Sequence, residues 1–368
     1  MRKITNMRKG LAITLLLAVT MSFIALAGCG QAKTDDSSAS LGSAATGTTE
    51  ALAGTGISNG TAQAATAADS TATSGAYASA QATLYPLTVK DATGYEMTIK
   101  NTPQHIISLT LGSDEILMGL VDKSRITALT KYADDTGISN VAKEAAEVPG
   151  RAVMDKSENI IAMKPDLIIL DTWADANVVK QFRDAGINVY TFKTPSNIDE
   201  QKAVIRDIAL LVGSNAKGKE ITDWMDAKLS DVETKLASLK PEQKLKVMDC
   251  GELGSSGVGT NFDDIVTRAG LINVVSKAGM KGWPVVPKEK IIEFNPDIII
   301  LPSWYYDAKN SFDGLKNKFT GDASFQTVNA VKNDRIISVP NQHISAISQY
   351  SVLAVEDVAR AAYPDLFK

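Results

Sequence analysis

The chain has 368 residues, of which 44% are hydrophobic and 22% are charged, and its formal net charge is −4. This length is enough for two domains, and an acidic balance without any basic run argues against nucleic acid as a partner. Two cysteines are too few for a disulfide-stapled secreted domain.

The N-terminus has the organisation of a secretory signal peptide. Arg2, Lys3, Arg8 and Lys9 precede an apolar run from 11 to 27 that ends in small residues. Its removal as residues 1–28 leaves 34 Lys and Arg against 42 Asp and Glu. A retained membrane anchor is the alternative, but the run lacks a second flanking cluster of charges.

The sequence Leu26-Ala27-Gly28-Cys29 resembles the lipobox of bacterial lipoproteins. The resemblance implies that Cys29 is diacylated and becomes the first mature residue. One acyl chain binds a membrane only marginally, whereas two hold a protein there. We therefore expect a protein tethered to the extracytoplasmic face of the cell membrane. Cys250 is then left without a disulfide partner and is expected in a strand of the core.

A low-complexity segment follows the lipobox. Residues 29–83 consist mainly of Ala, Ser, Thr and Gly, with few aromatic residues. Such a composition buries too little apolar surface to offset the entropy of ordering, so the segment is predicted to be a disordered tether.

The remaining residues, 84–368, alternate between apolar strands and amphipathic helices. A short hairpin is predicted first, and near-continuous apolar strands after it are typical of parallel sheets covered on both faces. We predict an α/β fold of two lobes, 84–214 and 241–368, with mainly parallel sheets. One long rigid helix over 215–240 joins them, and the ligand cleft lies between them.

One motif occurs in both predicted lobes. ENIIAMKPDLIIL begins at Glu158, and EKIIEFNPDIIIL begins at Glu289, with 8 of 13 positions identical. Ser157 and Pro287 suit the start of a short helix, and the Pro-Asp pair ends it before a strand. The apolar positions are explained by the core, and a glutamate in a first turn is explained by stabilisation of the helix dipole.

The order of these motifs resembles that of the substrate-binding proteins of ABC importers for iron-siderophores, haem and cobalamin. The resemblance is carried by YPLTVKDATGYEMTI, SDEILMGL, the two glutamate motifs and FDDIVTRAGLINVV. It implies two lobes bridged by a rigid helix, and an importer with a permease dimer as partner. It also implies that Glu158 and Glu289 dock onto arginines of the two permease subunits.

Ligands of open α/β sheets bind at the carboxyl ends of the strands. The candidates there are Ser113, Tyr132, Trp173, Ser255, Trp283, Trp304, Tyr305 and His343. Arg151, just before the Glu158 helix, is the most plausible cation of the cleft. Their aromatic rings suit a large, flat ligand.

The ligand stays open between a ferric siderophore, a corrinoid such as cobalamin, and haem. Trp283 resembles the cleft tryptophan of the cobalamin-binding members, and the scarcity of cations disfavours anionic siderophores. His343, Tyr132 or Tyr305 are the candidates to coordinate haem iron.

No enzyme and no cofactor is predicted. The two histidines are too few for a bare metal site or a Ser-His arrangement, and neither a Gly-x-Ser-x-Gly nor an HExxH motif occurs. An extracellular hydrolase and a structural surface lipoprotein remain the alternatives. We expect a monomer.

Overall fold

The computed structural model describes residues 84–251, 254–305 and 311–368. The predicted signal peptide, Cys29 and the predicted tether lie outside the described residues. In the sequence that is described, the predicted α/β architecture with parallel sheets is confirmed.

The N-terminal lobe opens with the predicted antiparallel hairpin and continues with a five-stranded parallel sheet of order β5-β4-β3-β6-β7. Its strands are β1 (Leu87–Lys90), β2 (Glu96–Ile99), β3 (Ile106–Ser108), β4 (Ile126–Thr130), β5 (Gly150–Ala152), β6 (Leu167–Asp171) and β7 (Asn188–Phe192). Its helices are α1 (Leu111–Leu120), α2 (Ala142–Ala145), α3 (Ser157–Ala162), α4 (Ala176–Asp184) and α5 (Ile198–Leu211).

A long helix, α6 (Asn215–Leu236), follows and leads into the second lobe. That lobe is built on a four-stranded parallel sheet of order β11-β10-β8-β9. Its strands are β8 (Lys246–Asp249), β9 (Ile272–Asn273), β10 (Ile298–Ile300) and β11 (Ile336–Ile337). Its helices are α7 (Asn261–Arg268), α8 (Val274–Lys277), α9 (Lys288–Phe294), α10 (Phe312–Thr320), α11 (Asn329–Lys332), α12 (Asn341–Ile344) and α13 (Ser351–Ala362).

Short 3-10 segments connect several of these elements. They are Lys123–Arg125, Lys131–Asp134, Pro241–Gln243, Ala323–Phe325 and Pro364–Phe367. Within the described ranges, no helix is long and apolar enough to span a membrane.

One hydrophobic core runs through both lobes. It includes Leu117 of α1, Ile205 of α5 and Met225 of α6 in the same cluster as Val247 of β8 and Val355 of α13. The outer face of each sheet has a separate, smaller cluster. Because packed cores resist shear, this shared core restricts the relative motion of the lobes.

Buried polar bonds reinforce the joint between the lobes. Ser348 donates to a carboxylate oxygen of Glu115, and Gln349 Nε2 donates to the Glu115 carbonyl at 2.8 Å. Gln201 of α5 donates from Nε2 to Oδ1 of Asn261 on α7, also at 2.8 Å. Burial raises the pKa of Glu115, and the hydroxyl of Ser348 opposes that rise.

Candidate functional site

A cavity of about 390 Å³ lies at the carboxyl ends of β8 and β10. Asp249 and Ile300 end these two strands and contribute to its wall. The other lining residues are Gly251, Ser256, Thr260, Asn261, Phe262, Trp283, Leu301, Pro302, Asn341, Ile344, Ser345 and Ile347. Its position agrees with the rule for ligands of open α/β sheets.

A smaller cavity of about 180 Å³ lies at the carboxyl ends of β6 and β7 in the N-terminal lobe. Asp171 and Phe192 end these strands, and Glu115 of α1 also lines it. Ser345 and Ile347 line both cavities. The segment 345–347 is therefore a common wall, and the two cavities together form the candidate cleft between the lobes.

Two cavities of about 410 and 420 Å³ occur elsewhere, beside the end of α6 and beside β7. Neither is lined by the ends of two neighbouring strands of one parallel sheet, nor by the segment 345–347. Volume alone therefore does not identify the site, whereas the paired strand ends and this shared segment do.

Trp283 lies in the wall of the larger cavity with half of its surface exposed. The adjacent chain is held closely, because Ser255 N donates to the Pro284 carbonyl at 3.0 Å. Gly254 has φ +115° and would place a Cβ 2.6 Å from that carbonyl. Ser255 itself is buried, so it supports Trp283 through its backbone.

Trp304 reaches across to the N-terminal lobe. Its indole Nε1 donates to Oδ2 of Asp135 at 3.0 Å. A Cβ at Gly137 would lie 2.4 Å from Cδ1 of the same indole. Tyr305 follows it and is half-buried, and Tyr132 lies in the 3-10 segment before Asp135 with its ring partly exposed.

Neither cavity wall includes Tyr132, Trp173, Trp304, Tyr305 or His343. Trp173 follows β6 and keeps 75% of its surface exposed. His343 lies on α12, where its Nδ1 is 2.6 Å from Oδ2 of Asp357.

Arg151 differs from its prediction as the cation of the cleft. Its Nε donates to Asp134 Oδ2 at 2.7 Å, and Nη1 donates to the carbonyls of Val148 and Gly150. Nη2 donates to the other oxygen of Asp134 and to the Ala145 carbonyl. The ion pair raises the pKa of Arg151 and lowers the pKa of Asp134. The guanidinium is therefore bonded within the N-terminal lobe and is not directed at a ligand.

Ser113 also differs from its prediction, because it is fully buried inside the N-terminal lobe. Its hydroxyl lies 2.6 Å from the hydroxyl of Ser108 and 2.7 Å from that of Thr110. Thr110 in turn caps α1 by accepting from the backbone N–H of Ser113. The hydroxyl therefore serves the helix start instead of a ligand.

Glu158 and Glu289 take equivalent places in the first turns of α3 and α9, and both side chains are exposed. In the part of the chain that the structure describes, neither is in an ion pair, whereas the neighbouring Lys288 pairs with Asp322. The predicted cap of α3 is wrong: Lys156 is the N-cap, without a side-chain cap bond, and Ser157 donates to Gln181 instead.

The sequence predictions missed Asp249 and Asp135. Asp249 ends β8 in the run KLKVMD, where the alternating pattern predicts a strand but does not indicate that its last residue lines a cavity. Asp135 has no sequence signal, because only the fold brings it to Trp304. Among the described residues, no group of three His, Cys, Asp or Glu side chains could hold a metal ion.

Comparison with known proteins identifies the architecture. The model of the periplasmic binding protein family matches residues 106–343. An uncharacterised ABC transporter substrate-binding lipoprotein, YvrC, of Bacillus subtilis is 27% identical over 294 residues, which are 77% of this chain and 88% of that protein. A cobalamin-binding protein of Halobacterium salinarum is 20% identical over 280 residues, 76% of this chain and 73% of the other.

Solved structures share the fold at low identity. A possible iron-binding solute-binding protein of Staphylococcus epidermidis has a TM-score of 0.62 and 24% identity, over 72% of this chain and 100% of that one. The haem-binding protein RhuT of Roseiflexus has a TM-score of 0.61 and 20% identity, over 72% of this chain and 99% of that one.

Proposed function

The chain belongs to the periplasmic binding protein family, and from this premise we propose that it captures a metal chelate or a corrinoid for an ABC importer. The observation that supports this proposal is the cavity at the ends of β8 and β10, where Trp283 offers a broad apolar surface. Aromatic rings bind flat ligands at low cost in conformational entropy. Substrate-binding proteins deliver such a ligand to the permease of the importer.

Titration of the intrinsic tryptophan fluorescence tests this function. A corrinoid, haem or a ferric siderophore should quench emission at about micromolar concentrations or below. A lack of quenching by all three compounds, confirmed by calorimetry, would favour the structural surface lipoprotein. Turnover of a hydrolase substrate without binding of these compounds would favour the hydrolase.

The proposed docking sites for the permease dimer are Glu158 and Glu289. Both are exposed carboxylates at matching helix starts, and charge-assisted bonds to arginine would fix the orientation of the complex. The double variant E158A/E289A should lose uptake in cells while ligand affinity stays within about twofold. The matched control E96A/E220A removes two exposed glutamates outside these helices and should retain uptake. Normal uptake by E158A/E289A would refute the docking role.

The proposed membrane attachment runs through Cys29. The variant C29A should move the protein from the membrane fraction to the medium or the soluble extracytoplasmic fraction, because the acyl chains have no acceptor. Retention of C29A in the membrane fraction would instead indicate that residues 11–27 stay as an anchor.

A further inference from the structure

Asp249 is a carboxylate at the floor of the larger cavity with bonding capacity to spare. Oδ1 accepts from the backbone N–H of Ser256 at 2.6 Å, and Oδ2 accepts from the Ser256 hydroxyl at 2.6 Å. A carboxylate offers about four acceptor positions, so two bonds leave room for a ligand. Part of its surface faces the cavity, whose wall it helps to form.

In the part of the chain that the structure describes, no cation compensates this carboxylate. Across residues 84–251, 254–305 and 311–368, Asp249 takes part in no ion pair, and no Lys, Arg or His lines the cavity. Burial raises the pKa of Asp249 to about 6, so at neutral pH it is still largely ionised. A buried carboxylate without a countercharge is unfavourable until a cation or a further hydrogen-bond donor reaches it.

The smaller cavity also has a carboxylate in its wall. Asp171 lines it, and among the described residues no Lys, Arg or His does. Asp171 accepts from Trp173 N at 3.1 Å and from Thr194 Oγ1 at 3.0 Å. A cleft that carries one sign of charge between walls of low dielectric constant strengthens the electrostatic potential inside it. Carboxylates in this cleft should therefore attract positive ligands and repel negative ones.

We infer that the cleft selects a chelate or macrocycle of neutral or positive charge, with Asp249 receiving its cationic or N–H donor group, and rejects polyanionic chelates. This rests on the proposed function of the same site. Trp283 then supports the apolar face of the ligand, while Asp249 sets its charge and orientation. Neither Arg151 nor His343 opposes this selection, because each is paired with an aspartate.

Three ferric complexes that differ in charge test the inference on the unmodified protein. Ferrioxamine B is a monocation, ferrichrome is neutral and ferric enterobactin is a trianion; cyanocobalamin adds a neutral macrocycle. We expect at least one neutral or cationic compound to bind, and ferric enterobactin to bind at least about tenfold more weakly than the best of them, as like charges in a cleft require. Calorimetry at constant ionic strength measures the affinities.

The variant D249N assigns the selection to one residue. It keeps the shape and an acceptor for Ser256 N but removes the charge, so it should weaken binding of a cationic ligand about tenfold and reduce discrimination against the trianion. If the cyanocobalamin complex alone forms, D249N should weaken it less, because an amide still accepts N–H donors. The control D207N changes a carboxylate beside β7, outside the cleft, and should leave all affinities unchanged.

The outcomes distinguish a failure of the proposed function from a failure of the charge selection. If no compound of the panel or haem binds, the proposed function fails. If ferric enterobactin binds as tightly as the neutral and cationic compounds, the proposed function stands and the charge selection is overturned. A charge ranking that survives unchanged in D249N overturns the role of Asp249.

Discussion

In each lobe, the first strand of the parallel sheet (β3 or β8) leads into a helix capped by threonine, but the two connections differ. Thr110 caps α1 by accepting from Ser113 N, and Thr260 caps α7 by accepting from Asp263 N. Only Leu109 and Thr110 separate β3 from α1, whereas residues 250–260 separate β8 from α7. The connection from the strand to the capped helix is therefore short in the N-terminal lobe and long in the C-terminal lobe.

This difference decides which lobe offers space. In the N-terminal lobe, α1 lies directly over the strand ends, where the carboxylate of Asp114 accepts from the backbone and hydroxyl of Thr130. In the C-terminal lobe, the longer connection leaves Asp249 at a cavity about twice as large as that of the N-terminal lobe. The length of one loop, more than the sheet itself, accounts for the larger cavity of the C-terminal lobe.

The largest expected effect comes from the tryptophans of the two lobes. W283A should weaken ligand binding about 30- to 100-fold, because it removes a broad aromatic surface from the cavity wall. W173A should change affinity less than about threefold, because that side chain is mostly exposed and outside both walls. Calorimetry is the suitable measurement, since both changes alter the fluorescence. An equal loss in W173A would place the ligand on the N-terminal lobe.

The buried carboxylates of the two lobes make a second contrast. Burial raises the pKa of Asp114 from 3.8 to about 7, so the folded protein holds this proton more tightly than the unfolded chain. Its contribution to stability is complete below pH 3.8 and is lost as the pH rises through about 7. Between pH 5 and pH 8, the free energy of unfolding should fall by about 3 kcal/mol through this group.

Urea unfolding of the wild type and D114N across this pH range isolates that contribution. Asparagine does not titrate, so the difference between the two proteins should change with pH in the stated direction. The same experiment on D249N should show a smaller pH-dependent difference, because the pKa of Asp249 is raised only to about 6. A larger difference for D249N would reverse the assignment of the more deeply buried charge.

The position two residues after each cap also differs between the lobes. Gly112 approaches the segment 345–347 so closely that a Cβ would lie 2.5 Å from the Ile347 carbonyl, while Phe262 occupies the corresponding place in α7. G112A should therefore lower the free energy of unfolding by about 1–2 kcal/mol, since backbone must move. In the same helix, a Cβ at Gly119 would meet only the ends of two side chains, Ile221 Cδ1 at 3.1 Å and Gln349 Nε2 at 3.6 Å. G119A should therefore be neutral or slightly stabilising. Equal effects of the two changes would show that the contact with Ile347 yields easily.

The sequence allowed the repeated elements of the fold to be predicted, but not the partners of individual side chains. The strands and the start of the helices at Glu158 and Glu289 follow from periodicity and from Pro and Asp, which act locally. The position of Trp283 followed from resemblance. The sequence predicts Ser113 in the cleft from its place after a strand, and Arg151 from its place before the Glu158 helix. In the structure, Ser113 is hydrogen-bonded to Ser108 and Arg151 is paired with Asp134.

A substitution of Arg151 tests whether this residue contacts the ligand or only Asp134. R151Q should leave ligand affinity within about threefold of the wild type, because the guanidinium binds Asp134 and three carbonyl oxygens and not the cavity. Solvent reaches the Asp134 side chain, which is 48% exposed, so loss of the ion pair itself should lower stability by only about 1 kcal/mol or less. D134N serves as the matched control, since it breaks the same pair from the other side and should lower stability similarly. If R151Q loses affinity tenfold or more and D134N does not, Arg151 contacts the ligand directly, and the N-terminal lobe takes part in binding through this residue.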